Sequence, residues 1–307
     1  MIRLDHREPM PESLRGAILA LGNFDGFHLG HQAVVGEAIA WARAEGRPAI
    51  VATFDPHPMR HFKPDAPSFR LTTLDQREEL FAAAGADAML VFHFDGAMAG
   101  EPAEQWADGM ISQHIGAAGV VTGEDFTFGK GRGGNPALLQ ARGVETRTVG
   151  AVHDADGPVS SSRIRAALKA GDCAAATRLL TRPFAIRGVV QHGDKRGRTI
   201  GFPTANLDLG SYLRPLYGIY AVTGLLAGGK VVHGAANLGV RPTFDPPKEL
   251  LEPFFFDFDG DLYGQEIEVG FHHFLRGEAK FDSLEELTAQ MERDCDEARK
   301  LLSAAAT

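Results

Sequence analysis

The sequence predicts two joined folds: an α/β domain built on a parallel sheet over residues 1–182, then a small antiparallel β-barrel over 183–307. Three observations predict this. The chain has 307 residues, more than one core usually organises. Apolar strand-like runs alternate with helix-like segments up to about residue 182. Beyond Pro183 the runs are short, β-branched or aromatic, and separated by Gly and Pro.

The elements follow in order. "GAILALG" (16–22) is an apolar run bounded by glycines, which suits a buried parallel strand. "QAVVGEAIAWARAEG" has apolar residues at helical spacing and stops at Gly46. "PAIVATF" (48–54) is a second strand, "LDQREELFAAAGA" a helix and "DAMLVFHF" a third strand. "EPAEQWADGMISQHI" carries Pro102 early, where a helix start tolerates it. "AAGVVTG" (117–123) and "VETRTVG" (144–150) are further strands, and "SSSRIRAALKAG" opens another helix. In the second half "FAIRGVVQHGD", "GIYAVTGLL", "KVVHGAANLG", "ELLEPFFFDF" and "QEIEVGFHHFL" read as strands. The amphipathic "SLEELTAQMERDCDEARKLL" (283–302) is the helix that closes the barrel.

Composition narrows the function. The formal net charge is -9, which argues against coating a nucleic acid. It leaves room for small anionic substrates, for which a few local cations suffice. The two cysteines, Cys173 and Cys295, form no CxxC pair, so a thiolate zinc site is not expected and a reducing cytoplasm fits. "MIRLDHREPM" lacks the apolar stretch of a signal peptide, and no run approaches the ~20 apolar residues of a membrane helix.

"LGNFDGFHLGHQ" (21–32) follows a strand and leads into a helix, the place where parallel sheets bind ligands. The free N–H groups of that helix start favour an anion, and Gly30 lets a phosphate approach the backbone. His28 and His31 add donors. Three readings stand: a phosphate cradle, a zinc site completed by His57 and His61, and plain loop histidines. The setting, together with Gly22, Asn23, Phe24 and Asp25, favours the cradle.

Two motifs are decoys. "GKGRGG" (129–134) matches GxGxxG but lacks the acidic residue expected about twenty positions on, and Lys130 and Arg132 suit mobile phosphate contacts better. "GLLAGGKV" (224–231) has Val231 where a P-loop needs Ser or Thr, and "GG" there reads as a hairpin turn. In the second half, "HGDKRGRTIGFPTANL" (192–207) offers a glycine-punctuated loop able to wrap a phosphate tail. Thr204 and Asn206 share a face if the chain is extended there. They read equally as a pair of oxygen ligands for magnesium or as a turn with a capping Asn.

"GNFDGFHLGH", followed in order by "TFDPHP", "GEDFTFGKGRGGN" and "VSSSRIR", resembles the nucleotidylyltransferases that share a (H/T)xGH loop. Within them it is most similar to the N-terminal module of the bacterial bifunctional riboflavin kinase/FAD synthetases, a Rossmann-like fold. "GRTIGFPTAN", "YGIYAV", "GAANLGVRPTF", "LLEPFFFDFDGDLYG" and "LRGEAKFDSLEELTAQMERD" resemble the riboflavin kinase module of the same family. The resemblance spans about residues 15–300. It implies phosphorylation of riboflavin by ATP to FMN, then adenylylation of FMN by a second ATP to FAD, with Mg²⁺ in both steps. A chain with one live module, or a flavin-binding regulator that kept the fold, is the alternative.

The resemblance also implies roles. Asn23, Asp125 and Phe126 lie by the adenosine of ATP, with Asp25 in the same loop, and the triphosphate lies over His28 and His31. Arg165 meets nucleotide phosphates from a helix started by Ser160, Ser161 and Ser162. In the kinase half Gly193 and Lys195 serve the nucleotide loop, Thr204 and Asn206 anchor Mg²⁺–ATP, Glu252 is the base and Arg276 sits near flavin and phosphate. Two departures stand out: Thr127 where the family usually has an arginine, and Phe254, after Pro253, where it usually has a histidine. Pro253 removes a ladder donor, so its strand is expected at a sheet edge or bulged.

Overall fold

The computed structural model describes residues 1–192, 202–241 and 248–304. The chain divides into two compact units, one of residues 1–67 and 73–160, the other of residues 68–72 and 161–307.

The first unit is a six-stranded, wholly parallel sheet of β1 (Ile2–Asp5), β2 (Ile18–Leu21), β3 (Ala49–Phe54), β4 (Ala88–Phe92), β5 (Gly119–Gly123) and β6 (Glu145–Val149). Its order is β1-β4-β3-β2-β5-β6. Every residue of β2 and β3 is buried, as continuous apolar runs require when helices cover both faces. Alternation sorts them. Leu19, Leu21, Ile50 and Ala52 join the core of Trp106, Ile111 and Ile115, whereas Ile18, Ala20 and Val51 join that of Val35, Ala38, Trp41 and Phe81. The covering helices include α1 (Leu29–Ala44), the short α2 (Pro58–Phe62) and α3 (Leu74–Ala84). A full capping box of Thr73 and Gln76 starts α3, and left-handed Gly85 ends it.

Two features go beyond the sequence reading. β1, which the patterning does not predict, lies at the sheet edge. After α4 (Gly96–Gly100), the "EPAEQW" helix begins as α5 (Ala103–Gln105) but continues as a π-helical segment, Trp106–Ile115, to left-handed Gly116. The rest of the unit is α6 (Pro136–Ala141) and a two-residue ribbon, β7 (His153–Asp154) with β8 (Gly157–Pro158).

The second unit opens with α7 (Ser161–Lys169) and α8 (Cys173–Leu180). A six-stranded antiparallel sheet follows: β9 (Phe184–Val189), β10 (Leu207–Asp208), β11 (Gly218–Leu225), β12 (Val231–Arg241), β13 (Lys248–Phe255) and β14 (Glu266–Arg276). Its order is β10-β13-β12-β11-β14-β9. The two ends meet where the Gln191 N–H donates to the Asn206 carbonyl at 2.8 Å, which nearly closes the barrel. α9 (Leu284–Ala304) lies over it, with Ala298 and Leu302 packed on Ala221, Ala235 and Phe256.

Pro253 corrects one expectation. Its strand, β13, is neither terminal nor bulged, and its register with β12 runs unbroken from Gly234↔Phe255 to Arg241↔Lys248. The Pro253 carbonyl accepts from Ala205 N–H at 2.9 Å, so the side of the residue that lacks a donor faces the short β10 segment. The main ladder loses nothing.

Among the described residues no helix is long and apolar enough to cross a membrane.

Candidate functional site

In the first unit, β2 and β5 are hydrogen-bonded neighbours, and the strand order reverses between them. Their carboxyl ends therefore border the crevice where open α/β sheets bind ligands. The loop with Asn23, Asp25 and His28 leaves β2, and the turn with Asp125 and Phe126 leaves β5.

His28 is buried and is the N-cap of α1, its Nδ1 accepting from His31 N–H at 3.4 Å. A ring nitrogen that accepts carries no proton, so in neutral His28 the proton sits on Nε2. The His28 and His31 rings stack at 3.6 Å, tilted by 19°. A Cβ on Gly30 would lie 3.2 Å from His28 Cε1, so this position has little room for a side chain. Asp25 is also buried. Asn23 Oδ1 is buried with no hydrogen bond among the described residues, an acceptor kept for something else.

The zinc reading finds no support. Among the described residues no three His, Cys, Asp or Glu side chains group as ligands. His57 instead caps α2, accepting from Met59 N–H at 3.1 Å, and His61 packs edge-on against Phe94 at 5.6 Å. The basic glycine loop is pinned rather than loose. Phe128 and Gly134 exchange both backbone hydrogen bonds, Lys130 N–H donates to the Glu101 carbonyl at 2.7 Å, and Arg132 Nε donates to Thr127 Oγ1 at 2.8 Å. Phe126 is half-buried, 6.0 Å from Phe128, which rests on Trp106 of the π-helical segment at 4.9 Å. Asp125 is exposed.

Ser160 belongs to the first unit, and Ser161, Ser162 and Arg165 to the second. α7 starts at Ser161. Arg165 Nε donates to the Phe69 carbonyl at 2.8 Å, and its guanidinium lies 5.3 Å from the Phe69 ring.

In the second unit, register gathers residues that are distant in sequence. One step beyond the Leu207↔Leu251 pair, Asn206 stands opposite Glu252. Glu252 pairs with Asn237, Asn237 with Ile219 and Ile219 with Arg276. Directly opposed residues share a face, so this is one row across five strands. Thr204 lies two residues before Asn206, ahead of the strand. A cavity of about 330 Å³ opens on that face, lined by Thr204, Asn237, Glu252, Phe254, Arg276, Glu278 and Cys295 among others. Asn206 lies at the end of the row rather than on the cavity wall. Its Oδ1 is buried with no hydrogen bond among the described residues, which suits the hard oxygen donor that magnesium takes. Gly193 and Lys195 lie outside the described residues.

Arg276 is held by a fork to the buried Asp294 of α9, with Nε to Oδ1 at 3.0 Å and Nη2 to Oδ2 at 2.7 Å. Phe254, in place of a histidine, packs edge-on against Phe202 at 5.2 Å. Burial, with Asp294 adjacent, pushes the Cys295 thiol up to about 11. Asn237 and Glu278 were not singled out in the sequence. Glu278 packs against Gly239, where a Cβ would fall 2.0 Å from its carboxylate, an approach that no sequence spacing announces.

Comparison with known proteins matches the two halves of the chain to two family models. The FAD synthetase family model matches residues 10–163, and the riboflavin kinase family model matches residues 180–302. The bifunctional riboflavin kinase/FMN adenylyltransferase of Escherichia coli K12 is 39% identical over 288 residues, covering 91% of this chain and 90% of that protein. The enzyme of the same description from Bacillus subtilis 168 is 39% identical over 300 residues, covering 94% and 93%. A crystal structure described as a macrolide-efflux protein from Streptococcus pneumoniae superposes with a TM-score of 0.86 at 31% identity, covering 96% of this chain and 97% of that one. The efflux description belongs to that protein. The present chain belongs to the family of bacterial bifunctional riboflavin kinase/FMN adenylyltransferases.

Proposed function

We propose that this chain makes FAD from riboflavin in two steps, each with its own ATP, and that the second unit performs the first step. The observation that carries the reading is the row of Asn206, Glu252 and Arg276 on one face of the barrel. The cavity beside it has room for a small molecule.

In the kinase step Glu252 takes the proton from the riboflavin 5′-hydroxyl as that oxygen attacks the γ-phosphorus. The O–P bond forms, the bond to the β-phosphate oxygen breaks, and ADP leaves. Asn237, beside Glu252, is placed to orient the hydroxyl or the carboxylate. Thr204 and Asn206 would hold Mg²⁺, which when bound neutralises phosphate charge.

In the adenylyl step a phosphate oxygen of FMN attacks the α-phosphorus of ATP and pyrophosphate leaves. His28 Nε2–H donates to a phosphate oxygen, and the start of α1 adds backbone donors. Asn23 Oδ1 and Phe126 serve the nucleoside. Similarity of "VSSSRIR" to the family is what supports Arg165 as a phosphate contact and Ser160, Ser161 and Ser162 as its neighbours there. The two free cysteines support a reducing location, and we place the enzyme in the cytoplasm.

The test is incubation of the purified chain with riboflavin, ATP and Mg²⁺, with FMN and FAD separated over time. FMN should rise first and FAD follow, with one pyrophosphate released per FAD. FMN that accumulates with no FAD would leave the kinase half standing and remove the other.

A further inference from the structure

α3 buries a charge where its spacing calls for a core residue. Leu74, Arg77 and Phe81 follow the i, i+3, i+7 pattern of an inward face, and Arg77 is only 3% exposed. A guanidinium is costly to bury unless its donors are used, so its partners show what it is for. Nη1 lies 2.6 Å from Thr53 Oγ1, 3.2 Å from the Asn23 carbonyl and 3.4 Å from the Phe54 carbonyl. Nη2 is 3.6 Å from the Asp55 carboxylate. Thr53 Oγ1 itself donates to the Asn23 carbonyl at 2.7 Å. One side chain thus ties the loop after β2 to the end of β3.

That loop needs tying. Phe24 and Phe27 have φ of +49° and +44°, a conformation bulky side chains avoid. Asn23 holds a buried side-chain oxygen without a hydrogen bond among the described residues. One turn along α3, Phe81 meets Phe24 edge-on at 5.9 Å and Phe27 at 5.1 Å. Phe24 meets the His31 ring edge-on at 5.3 Å, and His31 stacks on His28. A continuous chain of contacts therefore runs from α3 to the histidine pair.

We propose that Arg77 is a positioning residue for adenylyl transfer. It touches no substrate. It fixes the backbone at Asn23 and, through Phe24, the plane of the His28–His31 stack. The assignment rests on the reading of this unit as the FMN adenylyltransferase half. Lysine cannot replace it fully, because a single ammonium lacks the fork that reaches Thr53, Asn23 and Asp55 together.

The full-length chain supplies its own control, because riboflavin phosphorylation belongs to the other unit. In Arg77→Met, FAD formation from supplied FMN should lose about 10- to 100-fold in kcat/KM, part of it as a raised KM for ATP. Riboflavin phosphorylation should stay within about twofold of wild type. Arg77→Lys should recover part of the loss. A packing role alone would lower the folded fraction, and hence kcat, with KM for ATP unmoved. That result would overturn the proposal. If Arg77→Met does not fold, Thr53→Val carries the test: it removes the hydroxyl between guanidinium and Asn23 carbonyl and should raise KM for ATP, and an unchanged KM would be equally decisive against. A wild-type chain that makes no FAD from FMN would defeat the functional reading instead, and the inference with it.

Discussion

Glu252 is buried, opposite Asn237, and exchanging it for glutamine keeps its shape while removing its basicity. Glu252→Gln should lower FMN formation by about 10²- to 10⁴-fold, the usual contribution of a general base, and leave FAD formation from supplied FMN unchanged. Parallel assays of the two products check this; a joint fall with the fold intact would refute the division of labour. Cys295 gives an independent probe of the cavity. With its thiol pushed up to about 11, alkylation by iodoacetamide should be slow at pH 7.5 and accelerate as pH approaches that value. Riboflavin bound in the cavity should slow it further, which mass spectrometry of the modified chain would measure. The histidine loop was legible because its parts are contiguous, and strand, glycine and helix start occur within a dozen letters. Arg77, Asn237 and Glu278 were not, because each earns its place through a partner on another element.

At the scale of elements, two glycines make opposite predictions. Gly119 of β5 lies against Trp41 of α1, where a Cβ would come 2.1 Å from the indole. Gly119→Ala should destabilise the first unit by about 2 kcal/mol, seen as a lower thermal midpoint. Gly30 sits in the first turn of α1, where alanine favours the helix by up to about 1 kcal/mol but presses on the His28 ring. Gly30→Ala should therefore leave the melting temperature nearly unchanged and reduce FAD formation alone. The interior strands were readable from apolar runs and the barrel strands from their Gly and Pro punctuation. β1 was not, since an edge strand of four mixed residues has neither signal. The π-helical turn Trp106–Ile115 was also hidden, because its apolar spacing reads as an ordinary helix.

For the whole molecule, charge and pH matter most. A chain of net charge -9 that handles polyphosphates needs cations, so EDTA should abolish both activities and added Mg²⁺ restore them. Acid should weaken the barrel. His272 is half-buried beside His273 and His233, with Nε2 3.0 Å from Thr223 Oγ1, and burial holds it below the ordinary 6.5. The unfolded chain takes up that proton first as pH falls. The contribution of His272 to stability is thus complete above about 6.5 and lost as pH drops through the folded value. The urea midpoint should fall between pH 7.5 and 5.5, and less steeply in His272→Gln. The pairing of an α/β fold with an antiparallel barrel was legible from the change in patterning, although the compact units part at Ser160 and Ser161 rather than near Pro183, while the row across the barrel was not, because its members are brought together only by strand pairing. The row from Asn206 to Arg276 has a consequence for heredity. Odd and even positions of a strand face opposite ways. Loss or gain of one codon in β13 ahead of Glu252 would exchange the front of that strand for its back and turn the Glu252 carboxylate away from the cavity, though no cavity-lining letter had changed. Length variation in such genes should therefore collect in the connections between strands and come in steps of two wherever it enters a strand.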